Sequence, residues 1–425
     1  MRRLTGLLAT GALLLAACTT EPAATDGGSP DAPRATSGEP SSPGPTSSKP
    51  DPLAALSQRT LDGRLRDAAW ANDVPRARRL IVAGADVNAK DSTRQSAYLI
   101  ATSEGYLRLL ELTLANGANV GSLDSFDGTG LIRAAERGHH DIVGRLVQTP
   151  ITVDHVNNLG WVALHEAIVL GDGSPRYVDT VRVLVAAGAD LEIRAQRDGS
   201  TPLQLAASAG YSSIVTTLEA GLSENIAQRD ADQALLRAAA DGDADGVAVS
   251  LRAGADIEAR DGQRRTALLI ATTEDHVEVA RLLVDLGANP DALDDRHDTP
   301  WLVTGVTGSV AMLETLLPAH PDLTIRNRYG GISVIPASER GHVDYVRRVV
   351  QTDVDVNHVN DLGWTALLEA VILGDGGERH QQIVRILLDA GADASIADND
   401  GVTALQHAER QGFDQIARQL RAASG

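Results

Sequence analysis

The chain has 425 residues, a formal net charge of −19 at pH 7, and 43% hydrophobic but only 3% aromatic residues. This acidic balance excludes a nucleic-acid groove, because phosphate contacts require a basic surface. It also disfavours charge-driven adhesion to anionic lipid. With so few aromatic residues, a core must be built from alanine, leucine, valine and isoleucine.

Residues 1–17 have the pattern of a signal peptide. Two arginines stand at the start, and the apolar run from Leu4 to Ala17 is shorter than the roughly 20 residues that span a bilayer. Cys18, the single cysteine, follows directly. Residues 15–18, Leu-Ala-Ala-Cys, resemble the lipobox of bacterial lipoproteins. The resemblance implies cleavage before Cys18 and a diacylglyceryl group on its thiol, and the alternative is an ordinary secreted protein.

Residues 18–58 are rich in proline, serine, threonine and glycine and contain few large apolar side chains. Such a segment cannot offset the entropy lost on ordering, so we expect a disordered tether. About 35–40 flexible residues have a reach of roughly 30–40 Å. The tether would hold a folded domain away from a membrane surface, or carry it across a cell wall.

From residue 59 onwards the sequence repeats. Each unit is predicted as a turn, a short helix, a second turn and a longer helix that ends near a glycine, and the steps are 33 residues except for two of 38. Neither helix can bury its apolar face alone, so such units stack into a solenoid. The closing glycines are Gly84, Gly117, Gly188, Gly221, Gly254, Gly287 and Gly391, and Pro150, His320 and Asp353 stand where glycine is missing.

Two motifs of the units point to a family. Residues 201–207, Thr-Pro-Leu-Gln-Leu-Ala-Ala, are close to the Thr-Pro-Leu-His-x-Ala signature of ankyrin repeats, in which threonine caps the helix and proline suits its first turn. Gly-Ala-Asp at 188–190 and 254–256 matches that family's helix-ending turn. Over residues 60–425 the chain thus resembles the ankyrin-repeat family. The resemblance implies an all-α ankyrin-repeat solenoid of about eleven helix-turn-helix units with short β-hairpin turns.

A longer periodicity lies above the first. Residues 153–190 align without a gap with residues 356–393, an offset of 203. Residues 65–91 match residues 235–261, an offset of 170. The two offsets differ by one 33-residue unit. The sequence therefore predicts two related arrays, 59–233 with five units and 234–425 with six. Because the spacing holds across the junction, we expect the second array to be continuous with the first.

No motif typical of an enzyme is present. The sequence has no nucleophile elbow, phosphate loop or dinucleotide fingerprint, and one cysteine excludes an intramolecular disulfide and a cysteine-based zinc site. His165-Glu166 is not part of His-Glu-x-x-His, because position 169 is valine. We therefore expect no enzyme activity and no cofactor.

Histidine and aspartate clusters leave one alternative open. His139-His140-Asp141 resembles a metal site, but a structural turn role is favoured because Gly341-His342 opens a helix in the same way. Asp172, Asp375 and the run 294–298, Asp-Asp-Arg-His-Asp, lie in turns. These acidic turns support the alternative of a metal-dependent or enzymatic module.

Two sets of residues are candidates for partner binding. Trp161 and Trp364 precede the first helix of the two long units, where tryptophan is either a binding hot spot or packed against the preceding turn. Arginines recur on the turns of the middle units. They either steer an acidic partner by charge or pair with carboxylates of the same turns, at about 0–1 kcal/mol each. The candidate arginines are Arg194, Arg260, Arg264, Arg296, Arg326 and Arg328.

These observations predict a non-enzymatic protein–protein interaction scaffold. By the family resemblance, its concave face of hairpins and inner helices binds an unknown protein partner. The lipobox places the scaffold at the bacterial cell envelope, lipid-anchored on the membrane and extracytoplasmic, in the periplasm or at the cell surface. We expect a monomer that does not bind nucleic acid.

Overall fold

Pairs of helices joined by tight turns build the part of the chain that the structure, a computed structural model, describes: residues 52–223 and 225–423. These residues contain 22 α-helices, which confirms the predicted all-α solenoid. The predicted hairpins have no strand in the described residues, only two isolated antiparallel bridges, Arg260 with Thr266 and Ala397 with Thr403. The predicted signal peptide, Cys18 and residues 18–51 of the predicted tether lie outside the described residues.

The helices alternate between a first and a second helix in each unit. The first array contains α1 (Gln58–Trp70), α2 (Val74–Val82), α3 (Ala97–Glu104), α4 (Leu107–Ala115), α5 (Gly130–Glu136), α6 (His140–Val147), α7 (Ala163–Val169), α8 (Pro175–Ala186), α9 (Pro202–Ala209) and α10 (Ser212–Ser223). The second contains α11 (Ala231–Asp241), α12 (Ala244–Arg252), α13 (Ala267–Thr273), α14 (Val277–Asp285), α15 (Pro300–Thr307), α16 (Val310–Leu316), α17 (Val334–Glu339), α18 (Val343–Val349), α19 (Ala366–Ile372), α20 (Glu378–Asp389), α21 (Ala404–Gln411) and α22 (Asp414–Ala423).

The turn before most of the first helices is closed by one aspartate or asparagine side chain. The Oδ1 atom of Asp261, for example, accepts hydrogen bonds from the backbone N–H groups of Gln263 and Arg265, each at 2.9 Å. Such side chains mimic a backbone turn and make a strand ladder unnecessary. The helix begins six residues after Asp261, at Ala267. The same pair of bonds recurs at Asp91, Asp124, Asn157, Asp294, Asn327, Asn360 and Asp398.

Threonine begins many of the first helices. Thr201 caps α9 as the sequence predicted, because its Oγ1 accepts a hydrogen bond from the N–H of Gln204, whose side chain accepts one from Thr201 in return. Thr129, Thr266, Thr299, Thr365 and Thr403 also accept such an N–H bond at the start of their helices, and Thr403 shares the reciprocal bond as well. Each such cap contributes about 1 kcal/mol to helix stability.

Stacking of like helices buries the core. First helices pack on first helices and second on second within each array, around leucine, alanine, valine and isoleucine. None of the helices in residues 52–223 and 225–423 combines the length and the apolar character that crossing a bilayer requires.

At the junction of the arrays the structure differs from the predicted continuous stack. The second helices α8, α10 and α12 pack together, but the first helices α9 and α11 lack an extensive contact. Only Pro202 and Ala206 are buried in α9. The terminal helix α21 likewise has only two buried residues, Ala404 and Ala408. Exposed polar residues such as Gln204 cover the free side of α9. The sequence of α9 is therefore that of an end cap. The helix α11 resembles the opening helix α1, because in both most of the residues are not buried.

The second array instead turns back on the first. Its second helices α12 and α14 pack against α6 and α8 of the first array. Gly144 of α6 makes this approach possible, because a Cβ atom there would lie 2.3 Å from the backbone oxygen of Asp285 in α14. The two arrays thus meet through their second helices and leave their turns and first helices free.

Candidate functional site

The candidate arginines are mostly held by their own chain. Arg194 Nη1 donates to Gly199 O at 2.8 Å, and Arg260 Nη1 donates to Arg264 O at 3.0 Å and Leu293 O at 2.7 Å. These hydrogen bonds brace the turns. They also occupy N–H donors that a carboxylate of a partner would otherwise use.

The remaining four arginines divide into two pairs. Arg296 and Arg328 both approach Asp298 Oδ2, at 3.6 and 3.5 Å, and Arg328 stacks on the ring of Tyr329 at 4.6 Å. The side chains of Arg264 and Arg326 are exposed and have no hydrogen bond or ion pair among the described residues. These six side chains therefore do not form a continuous positive edge.

The acidic turns have structural partners as well. Asp172 Oδ1 accepts from the N–H of Ser174 at 3.0 Å, and Asp375 Oδ1 accepts from Gly377 N at 2.9 Å and lies 2.7 Å from His380 Nδ1. Asp294 closes its turn as described above. In residues 52–223 and 225–423 no three histidine, aspartate or glutamate side chains are grouped as metal ligands would be.

His139 occupies the N-terminal cap position of α6, where its Nε2 lies 3.2 Å from the carbonyl oxygen of Ser103 in the preceding unit. Burial lowers the pKa of His139. His342 makes the equivalent contact with Val306 O at 3.2 Å. A bond repeated between neighbouring units is the structural turn role that the sequence favoured.

Exposed large apolar side chains recur at equivalent positions of the two arrays. Phe126, Leu159 and Leu170 in the first array are matched, 203 residues later, by Tyr329, Leu362 and Leu373. The exposed fractions of these six residues lie between 48% and 53%. Lone exposed apolar residues are ordinary, so it is their recurrence at the same three positions of both arrays that singles these residues out as a candidate surface. We call the two sets the first and second apolar clusters.

A buried asparagine–glutamate pair lies beneath each cluster. Asn157 Nδ2 donates to Glu166 Oε1 at 2.6 Å, and Asn360 Nδ2 donates to Glu369 Oε1 at 2.8 Å. Each asparagine also accepts from the backbone N–H of the neighbouring Trp161 or Trp364, at 3.0 and 2.9 Å. The two tryptophans are half-buried. The pairs therefore link each candidate tryptophan to a carboxyl group on the first helix.

Burial is the main reason that both carboxyl groups titrate unusually. It raises the pKa of Glu166 to about 7, with the hydrogen bond from Asn157 opposing the shift and Glu136 adding to it. It likewise raises the pKa of Glu369 to about 7, and there the charge of Glu339 is the next cause. Sequence reasoning missed both glutamates. Their identity across the 203-residue offset was the signal that could have found them.

A cavity of about 250 Å³ opens at the second cluster. Trp364, Tyr329 and Leu373 line it together with Glu339 and Glu369. It lies on the side of the turns and first helices, which is the face predicted to bind a partner. The second cluster thus combines apolar walls with two carboxylates.

A larger cleft, about 900 Å³, lies where the second helices of the two arrays meet. Two pairs of polar side chains join the arrays across the cleft: His140 Nδ1 lies 2.6 Å from Asp285 Oδ2, and His320 Nε2 lies 3.6 Å from Glu111 Oε2. These contacts join the arrays to each other. The cleft is therefore part of the interface between the arrays.

Comparison with known proteins places the chain in a family. The sequence pattern of ankyrin repeats in three copies matches residues 98–195, 235–327, 307–398 and 334–425. The chain belongs to the ankyrin-repeat family. Ankyrin repeats are in general non-enzymatic scaffolds for protein–protein interaction, which supports that part of the predicted function.

Several relatives cover about half of this ankyrin-repeat chain. The putative ankyrin repeat protein YahD of Escherichia coli (strain K12) is 39% identical over 189 residues, 44% of this chain and 94% of the relative. A homolog of transient receptor potential cation channel subfamily A member 1, from Caenorhabditis elegans, is 30% identical over 200 residues. These residues are 47% of this chain but only 16% of that protein. An ankyrin repeat domain from Acinetobacter baumannii AYE is 45% identical, with a TM-score of 0.44, and covers 45% of this chain and 97% of its own.

Proposed function

We propose that this ankyrin-repeat protein is a non-enzymatic scaffold that is lipid-anchored at the bacterial cell envelope and binds an extracytoplasmic protein partner. The anchor rests on the Leu-Ala-Ala-Cys motif that ends at Cys18, the single cysteine of the chain. A proline- and serine-rich segment follows it and suits a spacer between membrane and repeats.

The observation that carries the binding function is the duplicated apolar cluster. About half of each of the six side chains is open to solvent, and covering apolar surface gains about 25 cal/mol per Å². Both clusters lie at the turns and the first helices, the face that the packing between arrays leaves free. A partner that covers Leu362 and Tyr329 would bury them next to a tryptophan.

The arginines contribute less to this proposal than the apolar clusters. Arg194 and Arg260 are hydrogen-bonded to carbonyl groups, and Arg296 and Arg328 share Asp298. Exposed pairs of this kind add little affinity. Arg264 and Arg326 keep free charges that can steer an acidic segment of a partner towards the groove.

Affinity capture with the full-length chain from the native cell envelope tests the proposal, followed by binding measurements with the protein that is captured. A Tyr329→Ser, Leu362→Ser variant should lose at least tenfold in affinity, whereas Val82→Ser, which changes an exposed valine away from both clusters, should not. Loss of binding in an Arg264→Glu, Arg296→Glu, Arg328→Glu variant, with the apolar variant unaffected, would assign recognition to the arginines. Failure to capture any partner that is specific to the repeats would contradict the scaffold function.

A further inference from the structure

One arginine of the first array lies within a group of three carboxylates. The guanidinium of Arg133 forms an ion pair with Glu136, and its Nε atom lies 3.4 Å from Asp124 Oδ2. The charge of Arg133 also acts on Glu166, where it opposes the rise of the pKa. The first array thus has a cation of its own near its buried glutamate, although Glu166 Oε2 itself has no hydrogen-bond partner among the described residues.

The second array keeps the carboxylates but not the arginine. The counterparts of Arg133 and Asp124, 203 residues later, are Pro336 and Asn327, whereas Glu136 and Glu166 correspond to Glu339 and Glu369. All four counterparts line the 250 Å³ cavity. Neither Glu339 nor Glu369 forms an ion pair with another side chain among the described residues. The space that Arg133 fills in one array is open in the other.

The charges around the cavity favour a cation at its floor. Glu369 is 6% exposed, and its carboxyl group is next to that of Glu339, whose charge helps to raise its pKa. A positive group between the two would relieve this repulsion, as Arg133 partly does in the first array, where Glu136 raises the pKa of Glu166 and Arg133 lowers it. The walls, Trp364 and Leu373, suit the aliphatic stem that accompanies such a group.

The arginines at the rim do not occupy this position. Arg296 and Arg328 pair with Asp298. Arg340 corresponds to Arg137 of the first array, which binds Glu104 of the preceding unit at 2.8 Å and not the neighbouring Glu136. In the second array the residue at the place of Glu104 is Thr307, and Arg340 is exposed. Arg340 itself lines the cavity and forms no ion pair with another side chain among the described residues, so it is not paired with either carboxylate at the floor.

We propose that the cavity of the second array binds an arginine side chain of the protein partner, with the guanidinium between Glu339 and Glu369. This inference rests on the proposed scaffold function and names the chemistry of one contact. A guanidinium has five donors in a planar fork and forms two parallel bonds with a carboxylate, and it also stacks on aromatic faces such as Trp364. Residues beside the guest arginine would be apolar, because Tyr329 and Leu362 flank the opening.

Titration calorimetry of the full-length chain with the peptide acetyl-Gly-Leu-Arg-Leu-Gly-amide tests the inference. We expect one peptide per chain with a Kd of about 0.1–1 mM, as for a single anchoring side chain. The same peptide with citrulline for arginine has the shape without the charge, and should bind at least tenfold more weakly. Glu369→Gln should weaken the arginine peptide tenfold or more. Its matched control, Glu166→Gln, should leave peptide binding unchanged because Arg133 occupies the first site.

Two reciprocal variants separate the guest position from a general effect on folding. Pro336→Arg with Asn327→Asp recreates the residues of the first array and should abolish peptide binding by filling the cavity. Arg133→Ala should do the reverse and raise the stoichiometry from one peptide to two. Melting curves of each variant establish that it is folded, and the gain of a site by Arg133→Ala cannot arise from unfolding.

Equal binding of the arginine and citrulline peptides would overturn the inference, and so would binding that Glu369→Gln and Pro336→Arg leave intact. Tighter binding of acetyl-Gly-Leu-Asp-Leu-Gly-amide would assign the cavity to an acidic guest instead. The absence of a heat signal when the arginine peptide is titrated into folded protein would also contradict the inference. If a captured partner binds Glu369→Gln as tightly as the native chain, this inference fails while the scaffold function stands.

Discussion

His140 Nδ1 lies 2.6 Å from Asp285 Oδ2 and joins two helices, α6 and α14, that are 145 residues apart in the chain. Burial raises the pKa of Asp285, and His140 offsets part of that shift. Burial lowers the pKa of His140. The hydrogen bond and the negative charge of Asp285 raise it by more, so the pKa of His140 is raised. Both groups therefore hold protons more tightly in the folded than in the unfolded protein.

Stability should fall as the pH rises through the raised pKa of His140. A group whose pKa is higher in the folded state stabilises fully below its unfolded pKa, about 6.5 for histidine, and loses that contribution above the folded pKa. His140→Ala should cost roughly 1–3 kcal/mol at pH 6 and less at pH 8.5. Urea unfolding at both pH values measures this. A cycle with Asp285→Asn isolates the pair, and a coupling energy near zero would show that the contact does not stabilise the interface.

Gly144 should be intolerant of a methyl group. Gly144→Ala places a Cβ atom 2.3 Å from the oxygen of Asp285, so α6 and α14 must separate, at about 1–3 kcal/mol. The control is Gly63→Ala in α1, where the nearest atom is the flexible Arg66 side chain at 3.9 Å. There alanine should stabilise the helix by roughly 0.5–1 kcal/mol. Equal effects of the two substitutions in thermal unfolding would argue against close packing at Gly144.

The buried glutamates should make the protein less stable in mild alkali. Their pKa values near 7 exceed the usual 4.5, so each contributes stability below pH 4.5 that is lost as the pH rises through 7. Glu166→Gln keeps an acceptor for Asn157 and removes the charge. It should stabilise the protein by on the order of 2–3 kcal/mol at pH 8.5 and have little effect at pH 5. A stabilisation that does not change with pH would contradict the raised pKa.

The two arrays should unfold as coupled neighbours. Expressed separately, residues 59–233 and 234–425 would each expose the second helices that meet in the whole chain, α6 and α8 on one side and α12 and α14 on the other. Both halves should therefore melt below the full-length protein. Calorimetric curves of the halves that sum to the curve of the whole would show that the arrays are independent.

Cys18→Ser should release the protein from membranes or block its processing, because the serine hydroxyl cannot accept the diacylglyceryl group. The measurement is the distribution of native and variant protein between membrane and soluble fractions. Substitution of Ser41 by alanine, in the same N-terminal segment, is the control. If the variant stays in the membrane fraction to the same extent, the lipoprotein hypothesis is wrong.

The repeat unit can be predicted from the sequence, because the structure of each unit depends on contacts between residues that are close in the chain. The 33-residue period, the threonine cap at Thr201 and the helix-ending glycines follow from contacts within one unit or with the next. The turn role of His139 followed from its likeness to His342. These features are separated by a few residues or one repeat, so the pattern of residue types is enough to predict them.

The contact between the arrays and the surroundings of their equivalent residues depend on the tertiary structure. The approach of α6 to α14 depends on Gly144 and on an ion pair between residues 145 positions apart, and no periodicity reports such a contact. Glu166 and Glu369 occupy equivalent positions 203 residues apart, yet one has Arg133 near it and the other faces an open cavity. That difference arises because burial and charge at a site come from side chains of several units at once, and only the folded chain brings them together.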